Sequence, residues 1–294
     1  MALSGSLAER IGVEISRYSG GYAEVERSTP VGGGSINDCY RIDCAAGRFF
    51  LKVNVADRFP SLFEAEADGL RRLSANGGAL VPRVVAYGED HDDNFLLLEW
   101  VDHGQATTAG WAALGRGLAN LHRATTARFG LERDNYIGTL KQVNTPRETW
   151  SAFLVECRLE PLARMARDRK RLDMADAFRF ERLYGRLDAL FPEEPPALLH
   201  GDLWSGNRIF SARGEPVLID PAVYYGHREM DLAMARLFGG FGAMFFDAYN
   251  EAFPLLSGWE ERVPLAQLYP LLVHAVLFGG AYANQVRDVL KRYA

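Results

Sequence analysis

One carboxylate, one amide and a second carboxylate, at Asp202, Asn207 and Asp220, carry the clearest chemical signal in this 294-residue chain. The first two sit in His200-Gly-Asp-Leu-Trp-Ser-Gly-Asn207, and the third closes the apolar run Val217-Leu-Ile-Asp220. An Asp can accept the proton of an attacking hydroxyl, and an Asn with a further Asp offers hard oxygens to magnesium bridging nucleotide phosphates. Either fragment alone reads equally well as a polar turn or as a strand end with a solvated carboxylate. Kept together, with a strand over Pro216–Ile219 between them, they point to phosphoryl transfer.

A phosphotransferase must also hold a triphosphate, and the front of the chain supplies groups for it in the order used by protein kinases. Gly32, Gly33 and Gly34, followed by Ser35, can present backbone N–H groups to phosphates with no side chain in the way. The same glycines would also make a plain hairpin turn. Lys52 lies inside the apolar run Phe49–Val53, where an unpaired ammonium is costly, so it needs an anionic partner. Glu66 shares a helical face with Phe63, Leu70 and Leu73, whereas Glu64 is turned roughly 200° away. Lys52 and Glu66 are therefore expected to pair. An unrelated edge lysine and an exposed glutamate are the alternative. Glu99-Trp100-Val101 ends a strand where an adenine slot belongs, with the Glu99 C=O and Val101 N–H reading the base and Leu98 lining the slot.

These groups need a scaffold that brings distant segments together. Residues up to about 100 read as strand-rich with one inserted helix from Ser61 to Leu73. Beyond Asp102-His-Gly104, helical stripes take over: Trp111, Leu114, Leu118 and Leu121, then Phe180, Leu183, Leu187 and Leu190. Asp231–Phe253 and Leu265–Tyr293 are also helical in pattern, with breaks at Gly239-Gly240 and Gly279-Gly280. The expected fold is α+β and bilobal, protein-kinase-like, with a nucleotide-binding lobe over 1–101 and a helical catalytic and substrate-binding lobe over 102–294. His200 is read as a scaffold for the catalytic loop, and Asp231 as a helix cap and loop anchor.

Composition sets bounds. The chain is 48% hydrophobic and 24% charged, with a formal charge of -5 that gives no support to a nucleic-acid surface. Cys39, Cys44 and Cys157 cannot complete a disulfide framework, and the first two are expected to pack as small apolar groups. No apolar run approaches a membrane span and no basic segment leads into one at the start, so a cytoplasmic protein is expected.

Read together, the segments Gly32-Gly-Gly-Ser-Ile-Asn37, Phe63-Glu-Ala-Glu66, Leu199–Asn207 and Ile219-Asp-Pro-Ala-Val-Tyr-Tyr-Gly226 resemble the fructosamine kinases, or ketosamine-3-kinases. Arg228-Glu-Met-Asp-Leu-Ala-Met234, Phe238-Gly-Gly-Phe241 and Asn135-Tyr-Ile-Gly138 with Gln142 and Asn144 extend the likeness. Trp204 and the Pro221–Gly226 segment set this family apart from general antibiotic kinases. Cys39 departs from the small residue expected there. The resemblance implies ATP and Mg2+ as cofactors and phosphorylation of the 3-hydroxyl of a ribulosamine, erythrulosamine or fructosamine, followed by release of the amine. A kinase for another small hydroxyl compound, such as an aminoglycoside, and a pseudokinase scaffold are the alternatives. Asp202 would be the base, Asn207 and Asp220 the metal ligands, and Lys52, set by Glu66, the phosphate grip. Trp204 either packs on the sugar or fills its loop, and Tyr224 and Arg228 are further candidates to face substrate. The expected partner is the small or protein-bound ketosamine, with neither nucleic acid nor membrane, and a monomer as the working unit.

Overall fold

Leu7, Ile11 and Ile15 recur one helical turn apart and form the buried face of α1 (Gly5–Ser19). The Ser4 side chain accepts from the Leu7 N–H at its start, and Gly20 closes it at φ 75°. This helix corrects the expectation of a single helix before residue 100. Its cap, periodicity and terminal glycine were all present in the sequence. The computed structural model of the chain describes residues 3–32, 36–76 and 81–294.

Among the described residues, β1 (Arg27–Pro30), β2 (Asp38–Cys44), β3 (Gly47–Val55), β4 (Val84–Asp90) and β5 (Asp93–Glu99) form one antiparallel sheet in the order β1-β2-β3-β5-β4. The run Phe95-Leu-Leu-Leu98 in β5 does not alternate with polar residues because both of its faces are covered. Phe95 and Leu97 pack with Ile11, Ile15 and Leu51 under α1. Leu96 and Leu98 pack with Phe63 and Leu70 of α2 (Leu62–Ala75) on the other side. Phe50 packs against that second group, and Lys52, two residues on in the same strand, points the same way.

From residue 108 the chain is mainly helical. It runs through α3 (Thr108–Leu121), the hairpin β6 (Asn135–Ile137) and β7 (Leu140–Gln142), and α4 (Trp150–Leu154). A π-helical turn, Val155–Leu159, leads on to α5 (Glu160–Asp168), α6 (Met174–Tyr184) and α7 (Leu187–Leu190). The stripe Phe180–Leu190 is thus two helices, parted after Tyr184. Short strands β8 (Ala197–Leu199), β9 (Arg208–Phe210), β10 (Pro216–Leu218) and β11 (Tyr224–Gly226) then pair antiparallel as β9 with β10 and β8 with β11. They are followed by α8 (Glu229–Leu237), α9 (Ala243–Ala252), α10 (Trp259–Ala266), α11 (Leu268–Leu277) and α12 (Ala281–Tyr293). The breaks expected at Gly239-Gly240 and Gly279-Gly280 occur there, with positive φ at all four glycines. A sheet with two flanking helices followed by a helical body makes the fold α+β, bilobal and kinase-like. No helix among the described residues is long and apolar enough to cross a membrane.

Helix α2 ties the two parts together. A Cβ on Gly69 would lie 3.3 Å from Pro221 and Val223, so this helix rests on the segment just after Asp220. Arg133 also pairs with Glu64 at 3.1 Å, and Tyr136 donates to the Pro60 carbonyl at 3.0 Å. The helix that carries Glu66 is thereby fixed against the strand end that carries Asp220.

Candidate active site

The sheet and the helical body enclose a cleft of about 790 Å³. Gly32, Lys52, Glu66, Leu98, Glu99, Val101, Asp202, Trp204, Asn207 and Asp220 all line it. Gly33, Gly34 and Ser35 lie outside the described residues.

Lys52 Nζ donates to Glu66 Oε1 at 2.7 Å and to Asp220 Oδ1 at 2.6 Å, and the lysine is 4% exposed. Burial works against its charge, but the two carboxylates outweigh it and hold the ammonium well above its usual range. Lys52 is therefore a fixed cation between the sheet, α2 and the second carboxylate. Asp220 adopts φ 54°, a left-handed conformation that Asp tolerates better than most residues, and its side chain remains 47% exposed to the cleft.

The loop that carries Asp202 is braced from behind. Asp231 Oδ2 accepts from the His200 N–H at 2.7 Å, and Oδ1 accepts from the Gly201 N–H at 2.9 Å. His122 Nε2 lies 3.2 Å from the same Oδ2. Burial alone would protonate this carboxyl, but His122 and the loop N–H groups hold it below the usual carboxylate range. Asp231 is thus a loop anchor but not a helix cap, because α8 begins two residues earlier with Arg228 at its cap position. His200 Nε2–H donates to the Ile219 carbonyl at 3.0 Å, and Nδ1 accepts from the Asp202 N–H at 3.3 Å. Both ring nitrogens are engaged, and burial keeps the ring neutral, as suits a scaffold. Gly201 has no room for a side chain, since a Cβ there would lie 2.0 Å from the Ala222 carbonyl oxygen.

Asn in place of Asp231 can accept from only one of the two loop N–H groups and presents its NH2 to the other. Asp231→Asn should therefore cost roughly 1–3 kcal/mol of stability, with a matching loss of turnover as the loop shifts. Denaturant midpoints and initial rates check it, and wild-type values for both would show that the anchor is idle.

Asp202 is partly buried beside this brace. Asn207 Nδ2 donates to Asp202 Oδ2 and to its carbonyl, both at 2.9 Å. Burial pushes the Asp202 carboxyl up to about 7, against the Asn207 donation and with Asp220 and Asp231 adding to the rise. Asn207 Nδ2 also reaches the Asp220 carbonyl at 3.4 Å, which brings the amide beside the second carboxylate. The hard side-chain oxygens of Asn207 and Asp220 suit Mg2+, which is commonly held by one or two protein ligands with phosphate and water oxygens completing its shell. Among the described residues no group of three His, Cys, Asp or Glu side chains could hold a metal ion.

Trp204 is 38% exposed, folds its indole over Gly206 and meets Phe238 edge-on at 6.3 Å. Tyr224 is 1% exposed and lines a small chamber next to Asp202. Arg228 corrects the expectation for it: it is buried, pairs with Glu194 at 2.7 Å and lies 3.9 Å from the ring centre of Phe253. Its guanidinium serves the helical body and not the cleft. Cys44 packs in the core under α1, whereas Cys39 lines the cleft, its thiol pushed up to about 11 by burial.

Sequence reading passed over two features. His274 borders both the chamber and the cleft from α11, a helix so apolar that its one imidazole reads as core. Arg158, wholly buried in the π-helical turn, lies 4.1 Å from the ring centre of Tyr224 and 4.5 Å from that of Phe153. It donates to the Val143 carbonyl and, at 2.7 Å, to Asn144 Oδ1. Asn144 in turn donates to Asn135 Oδ1, as does Gln142. Asn135 and Gln142 bond the carbonyls of Val223 and Ala222.

A lysine fixed by two carboxylates and an Asp–Asn–Asp group, meeting between a sheet and a helical body, are what transfer of a phosphoryl group requires of a fold. The chain is a kinase-like phosphotransferase. A profile of the fructosamine kinases matches residues 7–294. A "Probable ketoamine kinase" from Enterococcus faecium is 44% identical over 268 residues, 90% of this chain and 94% of the relative. A chloroplastic "Protein-ribulosamine 3-kinase" from Arabidopsis thaliana is 37% identical over 92% of this chain and 83% of its own. A crystal structure from Thermobifida fusca, provisionally assigned as a fructosamine-3-kinase, superposes with a TM-score of 0.86 at 40% identity, covering 96% of this chain and 97% of that one. The chain belongs to the fructosamine kinase family.

Proposed function

We propose that the protein transfers the γ-phosphoryl group of ATP to the 3-hydroxyl of a ketosamine. The observation that carries this reading is Asp202, partly buried and aimed by Asn207, in the same cleft as the Lys52–Glu66–Asp220 group. Asp202 takes the hydroxyl proton as the sugar oxygen bonds to the γ-phosphorus and the bond to ADP breaks. Lys52, set by Glu66, neutralises phosphate charge, and Gly32 with the glycines beyond it covers the phosphates. Asn207 and Asp220 would hold Mg2+, which supplies charge neutralisation between the phosphates when bound. Leu98, with the backbone of Glu99 and Val101, would take the adenine. In this reading residues 1–101 bind nucleotide and 102–294 supply the base and the acceptor site, in a cytoplasmic monomer.

Phosphate at C3 is a better leaving group than hydroxide. The product is therefore set up to eliminate phosphate and release the amine, a route to repair of glycated proteins or small amines. A panel of ribulosyl-lysine, fructosyl-lysine, aminoglycosides and free sugars, read by ATP-dependent phosphate transfer, tests the acceptor. Ribulosyl-lysine is expected to give the highest kcat/KM. Preference for an aminoglycoside or a free sugar would overturn the assignment, and absence of ATP turnover with every acceptor would indicate a scaffold.

A further inference from the structure

This inference rests on the ketosamine reading and deepens it. With the 3-hydroxyl on Asp202, the amine on C1 lies only four bonds away, within about 5 Å at bond lengths near 1.5 Å. The amine can therefore reach the chamber beside Asp202. That chamber shares Asp202, Met234, Val273 and His274 with the cleft, so the two are continuous.

The chamber suits a cation. Among the described residues no Lys or Arg lines it, and the one Lys or Arg lining the cleft is Lys52, already held by two carboxylates. Its walls include Met230, Met234 and Tyr269, and the oxygens of Asp231 that border it are taken by the loop N–H groups. Beside Asp202 and the hydroxyls of Tyr224 and Tyr269, His274 supplies a ring-nitrogen acceptor. Its Nδ1 lies 2.8 Å from the Pro270 carbonyl oxygen. A carbonyl can only accept, so Nδ1 carries the hydrogen and Nε2 presents a lone pair, with no partner for it among the described residues. Burial lowers the imidazole's affinity for a proton, which keeps that lone pair available.

The ring is also set among other aromatic faces. Phe238 lies 4.8 Å from it, Tyr282 5.0 Å and Phe278 5.5 Å, centre to centre. Phe278 is 62% exposed, as befits a ring at a mouth open to a chain attached to the amine. Aromatic faces attract ammonium groups, most strongly where water is partly excluded.

We propose that His274 Nε2, together with Phe278 at the cleft rim and Phe238 beside the imidazole, forms the subsite for the protonated amine of the acceptor. His274 accepts an N–H from the ammonium, and the rings cover its remaining charge. The substrate is thus selected as an aminated sugar and not merely as a ketose.

The test compares ribulosyl-lysine with a 1-O-alkyl ribulose ether, in which oxygen replaces the amine nitrogen. The wild type should prefer the amine by about tenfold or more in kcat/KM, the worth of one hydrogen bond from a charged group. His274→Phe keeps an aromatic ring among Phe238, Tyr282 and Phe278. It should raise KM for ribulosyl-lysine by about tenfold while leaving KM for the ether and for ATP close to wild type. Equal changes for both acceptors, or none for ribulosyl-lysine, would overturn the subsite. Should His274→Phe not fold, the exposed Phe278→Leu serves in its place, with a smaller rise confined to the amine; a rise shared by the ether would again overturn it. A wild type that phosphorylates no ketosamine at all would bring down the underlying function, which the control reveals before any variant is compared.

Discussion

Asp202→Asn should lower turnover by about 10²–10⁴ while leaving nucleotide affinity close to wild type. An amide fills the same volume and can still bond Asn207, so the loop is preserved, but it cannot take a proton from the acceptor hydroxyl. The brace behind it is independent of the change, because Asp231 holds the His200 and Gly201 N–H groups and not the Asp202 side chain. Initial rates with ribulosyl-lysine and calorimetry with a non-hydrolysable ATP analogue separate the two effects. Wild-type turnover in this variant would remove Asp202 from the chemistry, and lost nucleotide binding would place it in the phosphate site instead.

Asp220→Ala should abolish magnesium-dependent nucleotide binding. Of the two proposed metal ligands Asp220 is the carboxylate, and an amide oxygen at Asn207 is a weak substitute for a charged ligand. The buried lysine survives the change because Glu66 remains 2.7 Å away, so the ammonium is not stranded and the fold should persist. Calorimetric titration of ATP with and without excess Mg2+ reads the effect. The wild type should bind far more tightly with the metal, and the variant should show no difference. Unchanged metal dependence in Asp220→Ala would assign the ligand to another residue.

Much of the site was legible because phosphoryl transfer constrains residue type and spacing at once. The five-residue interval from Asp202 to Asn207 is short enough for one loop to set, and it could be read directly. Lys52 and Glu66 could be paired because burying an ammonium in an apolar strand requires an anion, and helix phase singled out one glutamate. What the sequence did not show is the contact from Lys52 to Asp220, 168 residues apart, since nothing local encodes which strand end α2 rests upon. Arg228 was a candidate to face substrate with no spacing to support it, and Glu194 and Phe253 claim it from elsewhere in the helical body. α1 was missed although its cap was present, because Leu7, Ile11 and Ile15 make only a sparse apolar stripe along its 15 residues. His274 was hidden by its apolar neighbours on α11, where a single polar residue gives no periodic signal.

Arg158 carries a consequence for how this enzyme can change. It is a buried cation with no ion pair among the described residues, supported by aromatic faces, carbonyls and an amide. Lysine cannot replace it, because a compact ammonium neither stacks on Tyr224 nor reaches several acceptors in one plane. Through Asn144, Asn135 and Gln142 the same network fixes the carbonyls just after Asp220. A substitution in the chamber's back wall would therefore disturb the Asp220 end of the cleft as well. Drift toward new acceptors is open mainly at the rim, where Phe278 answers to no such network, so substrate range can evolve there while the phosphate chemistry stays fixed.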